Sequence, residues 1–179
     1  ICRKISRSSA AVLILLAVLA PAAFGQGVTL VNHQEIPGEA TDRTVLAGQK
    51  AGANVNRLGG FGSDLFYDRK TGFFYGLADR GPGGGTIAYD TRVNKFKLVI
   101  DHHTGAVSAL QVVQTIFFTL PLDKTVNGLS GPFHFNGLDP SLDAKDGASN
   151  HLGRSFDPEG LVVAPNGNFY VSDEYGPSI

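Results

Sequence analysis

Residues 155–177 read SFDPEGLVVAPNGNFYVSDEYGP, and residues 61–82 read FGSDLFYDRKTGFFYGLADRGP. Sliding the chain by 95 positions lays Phe61, Gly72, Phe74, Tyr75, Gly81 and Pro82 on Phe156, Gly167, Phe169, Tyr170, Gly176 and Pro177 without a gap. Two acids fall into the same register, Asp64 on Glu159 and Asp79 on Glu174. Apolar hairpin residues recur easily by chance. A turn glycine, an aromatic pair, a Gly-Pro exit and two acids in one register do not.

Each copy reads as a β-hairpin. In the second, 161–164 runs out, Pro165-Asn166-Gly167 turns, and 168–172 returns; Gly167 supplies the positive φ that such a turn requires. In the first, 69–72 turns between 65–68 and 73–77. Working outward, short β-branched and aromatic runs bounded by Gly, Asn, Asp and Pro predict further strands at 28–31, 86–89, 96–100 and 109–120, and helical periodicity is hard to find after Gly25. The expected fold class is therefore all-β. Repeats of about 40 to 50 residues mark propeller blades, and the observed period is close to two of them. The expectation is a β-propeller, six-bladed in a longer protein, with about half present here. Residues 123–154, polar and rich in Gly, Asn, Ser and Asp, read as an elaborated surface loop, and 81–85 (GPGGG) as a flexible connection.

The beginning of the chain has a different grammar. Arg3, Lys4 and Arg7 precede the apolar run 10–20, and small residues with Pro21 follow, as in a secretory signal peptide. That run is too short for a bilayer, which needs roughly 20 residues. Residues 1–25 are thus expected to be a signal that contacts a membrane only before cleavage, 26–55 an N-terminal strand and lead-in, and 56–179 the main domain, truncated at its carboxy end. The start at Ile1 and stop at Ile179 read as those of a fragment. Export to the periplasm or outside the cell follows. The one cysteine, Cys2, lies within the signal, so no disulfide is expected to stabilise the exported chain. Without Arg3, Lys4 and Arg7, 12 basic residues face 16 acidic ones, which gives no basic footprint for nucleic acid.

A hairpin returns its chain to where it began. Asp64 is therefore expected beside Asp79, and Asp157 and Glu159 beside Asp173 and Glu174, at one sheet end. Like charges at close range resist ionisation, so such a cluster needs a cation or a shared proton. Calcium, with 6 to 8 oxygen ligands, is the natural cation, and Asp64, Asp79, Glu159 and Glu174 are the candidate ligands. Arg80 offers a planar fork for a phosphate or carboxylate, with a structural salt bridge as the competing role. The histidines at 33, 102, 103, 134 and 151 lack a His or Cys partner at i+2 or i+4, so zinc is not expected. Asp143-Ala-Lys-Asp146-Gly147 lacks the alternation and terminal Glu of an EF-hand. No G-x-S-x-G elbow is present.

The stretch SFDPEGLVVAPNGNFYVSDEYGPSI, with the earlier GGFGSDLFYDRKTGFFYGLADRGPG, resembles the phytase-like family described as having esterase-like activity of phytase. The resemblance covers 56–179. It implies a secreted or periplasmic β-propeller, longer than this chain, that hydrolyses phosphate esters or diesters. Carried over by motif, the implied functional residues are Asp79 and Arg80 from ADRGP, Asp157 and Glu159 from DPEG, and Asp173 and Glu174 from SDEYGP. Asp157, Glu159, Asp173 and Glu174 are the expected catalytic set, Arg80 the substrate contact, and a small phosphorylated substrate or phosphodiester the partner. One departure is Gly62-Ser63-Asp64-Leu65, where the family often has a plain Ser-Gly-Leu. Two other functions remain open at this point: a non-catalytic propeller that binds a polysaccharide or protein, and a lactonase-type propeller hydrolase.

Overall fold

A computed structural model describes residues 28–37, 40–41, 57–126, 128–142, 152–176 and 178–179. The expected signal at 1–25 lies outside the described residues, as do 42–56, His151 and the acidic turn at 143–147. The chain divides into two units, Ile1–Leu30 and Val31–Ile179. In the first, only 28–30 are described, as exposed chain without regular structure. The second contains every strand.

Ten strands and no helix occur among the described residues. Strands β1 (Asp64–Asp68), β2 (Phe73–Leu77), β3 (Arg92–Ile100) and β4 (Val107–Phe117) form an antiparallel sheet in chain order. Strands β9 (Pro158–Val163) and β10 (Phe169–Asp173) form a separate hairpin. The pairs β5 (Thr119–Leu120) with β8 (Phe133–His134) and β6 (Thr125–Val126) with β7 (Leu129–Ser130) are two-residue ladders. The all-β expectation is correct, and both repeat hairpins stand where the sequence puts them. Gly72 and Gly167 turn them at φ of 72° and 87°, a backbone region that strains residues with a Cβ.

The hairpin of β9 and β10 packs on one face of the four-stranded sheet. Tyr75, Leu77 and Val93 from the sheet meet Leu161 from the hairpin in the buried core, with Phe66, Ile116, Val163 and Phe169 around them. Each of Leu77, Val93 and Leu161 stabilises the fold by about 1.5–3 kcal/mol through burial alone. The ring of Tyr75 meets that of Phe169 edge-on at 5.6 Å, so the aromatic residues of the two copies hold the copies together.

Three expectations need correction. Residues 28–31 form no strand. Beyond them, Asn32 and Gln34 reach the Val107 carbonyl through their side-chain amides at 2.6 and 2.9 Å, replacing a ladder with side-chain contacts. Residues 86–89 form none either, because Tyr89 serves as a buried plug. Its hydroxyl donates to the Leu58 carbonyl at 2.7 Å, and its ring fills the space over Gly81, where a Cβ would collide with it. The loop at 123–154 holds β6, β7 and β8, and Asn136 bridges to Asp90 and Ser155, so this region is stitched to the sheet.

Candidate functional site

The hairpin register places the acids. Asp64 pairs with Leu77, two residues before Asp79, and Pro158 pairs with Asp173, one residue before Glu174. The ladder of the second hairpin slips between Ser172 and Asp173, an irregularity that re-aims side chains at a strand end. One carboxylate oxygen from each of Asp157, Glu159 and Glu174 lies within 4.8 Å of the other two. Asp157 is fully buried, whereas Glu159 and Glu174 are exposed. The site therefore has a buried base and an open rim.

Arg80, leaving the first hairpin, holds Asp157 at the start of the second. Its backbone N–H donates to Asp157 Oδ1 at 3.2 Å, and its Nε lies 3.3 Å from Oδ2. That Oδ2 accepts no hydrogen bond among the described residues. Burial pushes the Asp157 carboxyl above its ordinary range, Arg80 pulls it back, and Asp79 and Glu174 push it up again. Glu159 is raised by desolvation first, then by Asp157, Glu174 and Asp79, and by a hydrogen bond with Glu174. Asp79 thus acts on the trio through its charge, while its own Oδ1 accepts from the Gly81 N–H at 2.7 Å.

Asp173 lies beneath the trio. Its Oδ1 accepts from the backbone N–H groups of Asp157 at 3.0 Å and Tyr175 at 3.2 Å. Burial raises its carboxyl against those bonds. Asp173, one of the expected catalytic acids, thus holds the backbone of its neighbours through one carboxylate oxygen. Asp64, expected as a ligand, is likewise occupied with backbone, since its Oδ2 accepts from the Leu161 N–H at 2.6 Å and its Oδ1 from the Leu65 N–H at 2.7 Å. Of the expected set, Asp157, Glu159 and Glu174 converge, Arg80 adjoins them, and Asp64 and Asp79 lie outside the trio.

Two contributors escape the sequence. Tyr175 hydrogen-bonds the Arg80 side chain, which raises the arginine and keeps it charged, and the Tyr175 hydroxyl donates to the Gly137 carbonyl at 3.3 Å. Gly137 carries no special φ, but a Cβ there would collide with the Arg80 carbonyl oxygen. Elsewhere His134 Nδ1 pairs with Asp90 Oδ2 at 3.1 Å, and its ring stacks on Phe117 at 5.5 Å. This partner is 44 residues away, beyond any local spacing rule.

An antiparallel β protein with a carboxylate trio at the end of a hairpin is the class that these features define. Within that class, the chain belongs to the Phytase-like family, described as esterase-like activity of phytase, whose sequence model matches residues 56–179. An uncharacterized secreted protein of Arthroderma benhamiae is 28% identical over 180 residues, covering 84% of this chain and 33% of that protein. The chain thus spans about a third of the relative's length. No solved structure matches it. Among the described residues, no helix is long and apolar enough to cross a membrane.

Proposed function

We propose that the chain is part of an exported, calcium-assisted hydrolase of phosphate esters or diesters. The observation that carries this reading is the convergence of Asp157, Glu159 and Glu174, with the buried Asp157 held by Arg80. The donor set fits calcium: three hard oxygens lie close enough to share one ion, and the buried Asp157 Oδ2 has the Arg80 ion pair beside it but accepts no hydrogen bond among the described residues. Glu159 and Glu174 on the rim and Asp157 at the base would hold the ion. When bound, calcium supplies charge neutralisation at an ester oxygen and lowers the pKa of a bound water. Arg80 orients the ester through its remaining N–H groups.

The same reading includes a propeller. A four-stranded antiparallel sheet in chain order followed by a stacked hairpin is what two consecutive blades would present, so each 95-residue repeat would correspond to one blade with its connections rather than to the two expected from its length. Tyr75 is 8% exposed beneath the second copy, while Tyr170, its counterpart, is 55% exposed, as expected of a surface that a further blade would cover. Export is supported by the apolar run at 10–20 and by the secreted relative.

Turnover of phosphomonoester, phosphodiester, carboxylic ester and lactone substrates, with calcium and with chelator, tests the reading. Calcium-dependent release of phosphate, lost in Asp157→Asn with Glu159→Gln, is expected. Chelator-resistant turnover, or turnover of the lactone alone, would refute it, and calcium-dependent thermal stabilisation without any turnover would favour a binding protein.

A further inference from the structure

At the opposite end of the hairpins, about 15 Å from the acids at 3.3 Å per residue, the turns of the two copies enclose a second cleft. It has a volume of about 760 Å³ and is lined by both turns and by β3 and β4. Clefts of this size take ligands as large as a short oligosaccharide. Three cations line it, Arg69, Lys70 and Lys95, against one acid, Asp68. Asp68 is already engaged, accepting from the Lys70 N–H at 2.9 Å and from the Thr71 hydroxyl at 2.5 Å. The cleft is therefore electropositive in a chain whose acids outnumber its bases.

Lys95 is the informative residue. It projects from the middle of β3, is only half-exposed, and has no carboxylate partner among the described residues. Its Nζ instead lies 4.1 Å from the ring centre of Phe73 and 5.6 Å from that of Tyr75. Cation–π contacts place the ammonium without neutralising it. Phe66 and Phe169, both half-buried, supply the apolar walls. Fixed positive charge beside aromatic rings matches a sugar that carries carboxylates, whose ring stacks while its acid groups meet the cations.

We propose that this cleft binds an acidic oligosaccharide of the uronate class, independently of the carboxylate trio. Titration calorimetry of the protein with a tetragalacturonate and with its methyl-esterified form tests it. The free acid is expected to bind at least tenfold more tightly than the ester. Lys95→Gln is expected to weaken the acid at least tenfold, with an unchanged melting temperature, and Asp157→Asn to leave it unaltered. Arg69→Gln, in the exposed turn, provides a second reading should Lys95→Gln fold poorly, and a threefold or greater loss is expected there. No binding, equal binding of acid and ester, or full affinity in these variants overturns the proposal.

Discussion

The carboxylate of Asp64 takes the backbone N–H of Leu161 at 2.6 Å across a sequence separation of 97 residues, joining the first hairpin to the second. A hydrogen bond to a charged acceptor contributes about 1.5–3 kcal/mol, and a partly buried N–H left alone costs a similar amount. Asp64→Ala should therefore lower stability by about 1–3 kcal/mol in urea melts, and Asp64→Asn by less, since its amide oxygen can still accept. Calcium affinity should change little in either. A tenfold loss of affinity in Asp64→Asn would return Asp64 to the ligand set.

Arg80 is the counter-charge of a carboxylate that is fully buried. Arg80→Gln leaves Asp157 with only a backbone donor, and removing one partner of a buried pair is costly. Because the Arg80 side chain is partly open to water, the expected loss is the lower range, about 1–3 kcal/mol at pH 7. The loss should shrink in acid as Asp157 takes a proton. A penalty that stays constant between pH 4 and pH 7 would contradict this account.

The pH dependence has a definite sign. Asp157, Glu159 and Asp173 are raised above ordinary values of 3.8 and 4.5, chiefly by burial. Their folded forms hold protons longer than the unfolded chain does, so stability falls as pH rises from about 4 through the raised values. Asp68, Asp101 and Asp139 are lowered, chiefly by hydrogen bonds from Thr71, His103 and Ser141. Their contribution is present above about pH 4 and disappears as pH falls below it. With chelator present, the urea midpoint should peak near pH 4–5, and calcium should remove the decline towards neutral pH. A calcium-insensitive decline would count against cation binding by the trio.

Gly137 lies against the Arg80 backbone, with no room for a methyl group. Gly137→Ala must displace the strand exit that presents Arg80 to Asp157. A loss of about 1–3 kcal/mol is expected from overpacking, with weaker calcium binding alongside it. Gly62→Ala, whose new Cβ meets nothing within 4 Å, is the matched control. Equal behaviour of the two variants in melting and calcium titration would remove Gly137 from the site's support.

The parts legible in the sequence are those that local physics decides. Gly72 and Gly167 set the turns, alternation sets the strands, and the return of a hairpin brings Glu174 to Asp157 and Glu159. The start of β3 was hidden because Thr91, Arg92 and Asn94 look like loop residues. All three are buried, with Arg92 under Tyr89 at 3.9 Å and Asn94 bonded to Thr115 at 2.9 Å. Desolvation brings the Arg92 guanidinium down to about 9. The pairing of His134 with Asp90 and the support of Arg80 by Gly137 depend on chain crossings that no spacing reports.

Asp64 and Glu159 align in the sequence repeat, yet Asp64 pairs with Leu77 and fastens a neighbour's backbone, whereas Glu159 falls between the paired residues Pro158 and Gly160 and stands at the rim of an acid trio. The side chains differ by one methylene. In a duplicated architecture, that small difference, together with the slipped ladder beside Glu159, lets one copy become a clasp while its sibling stays available for chemistry. Specialisation here is a matter of reach and of backbone register.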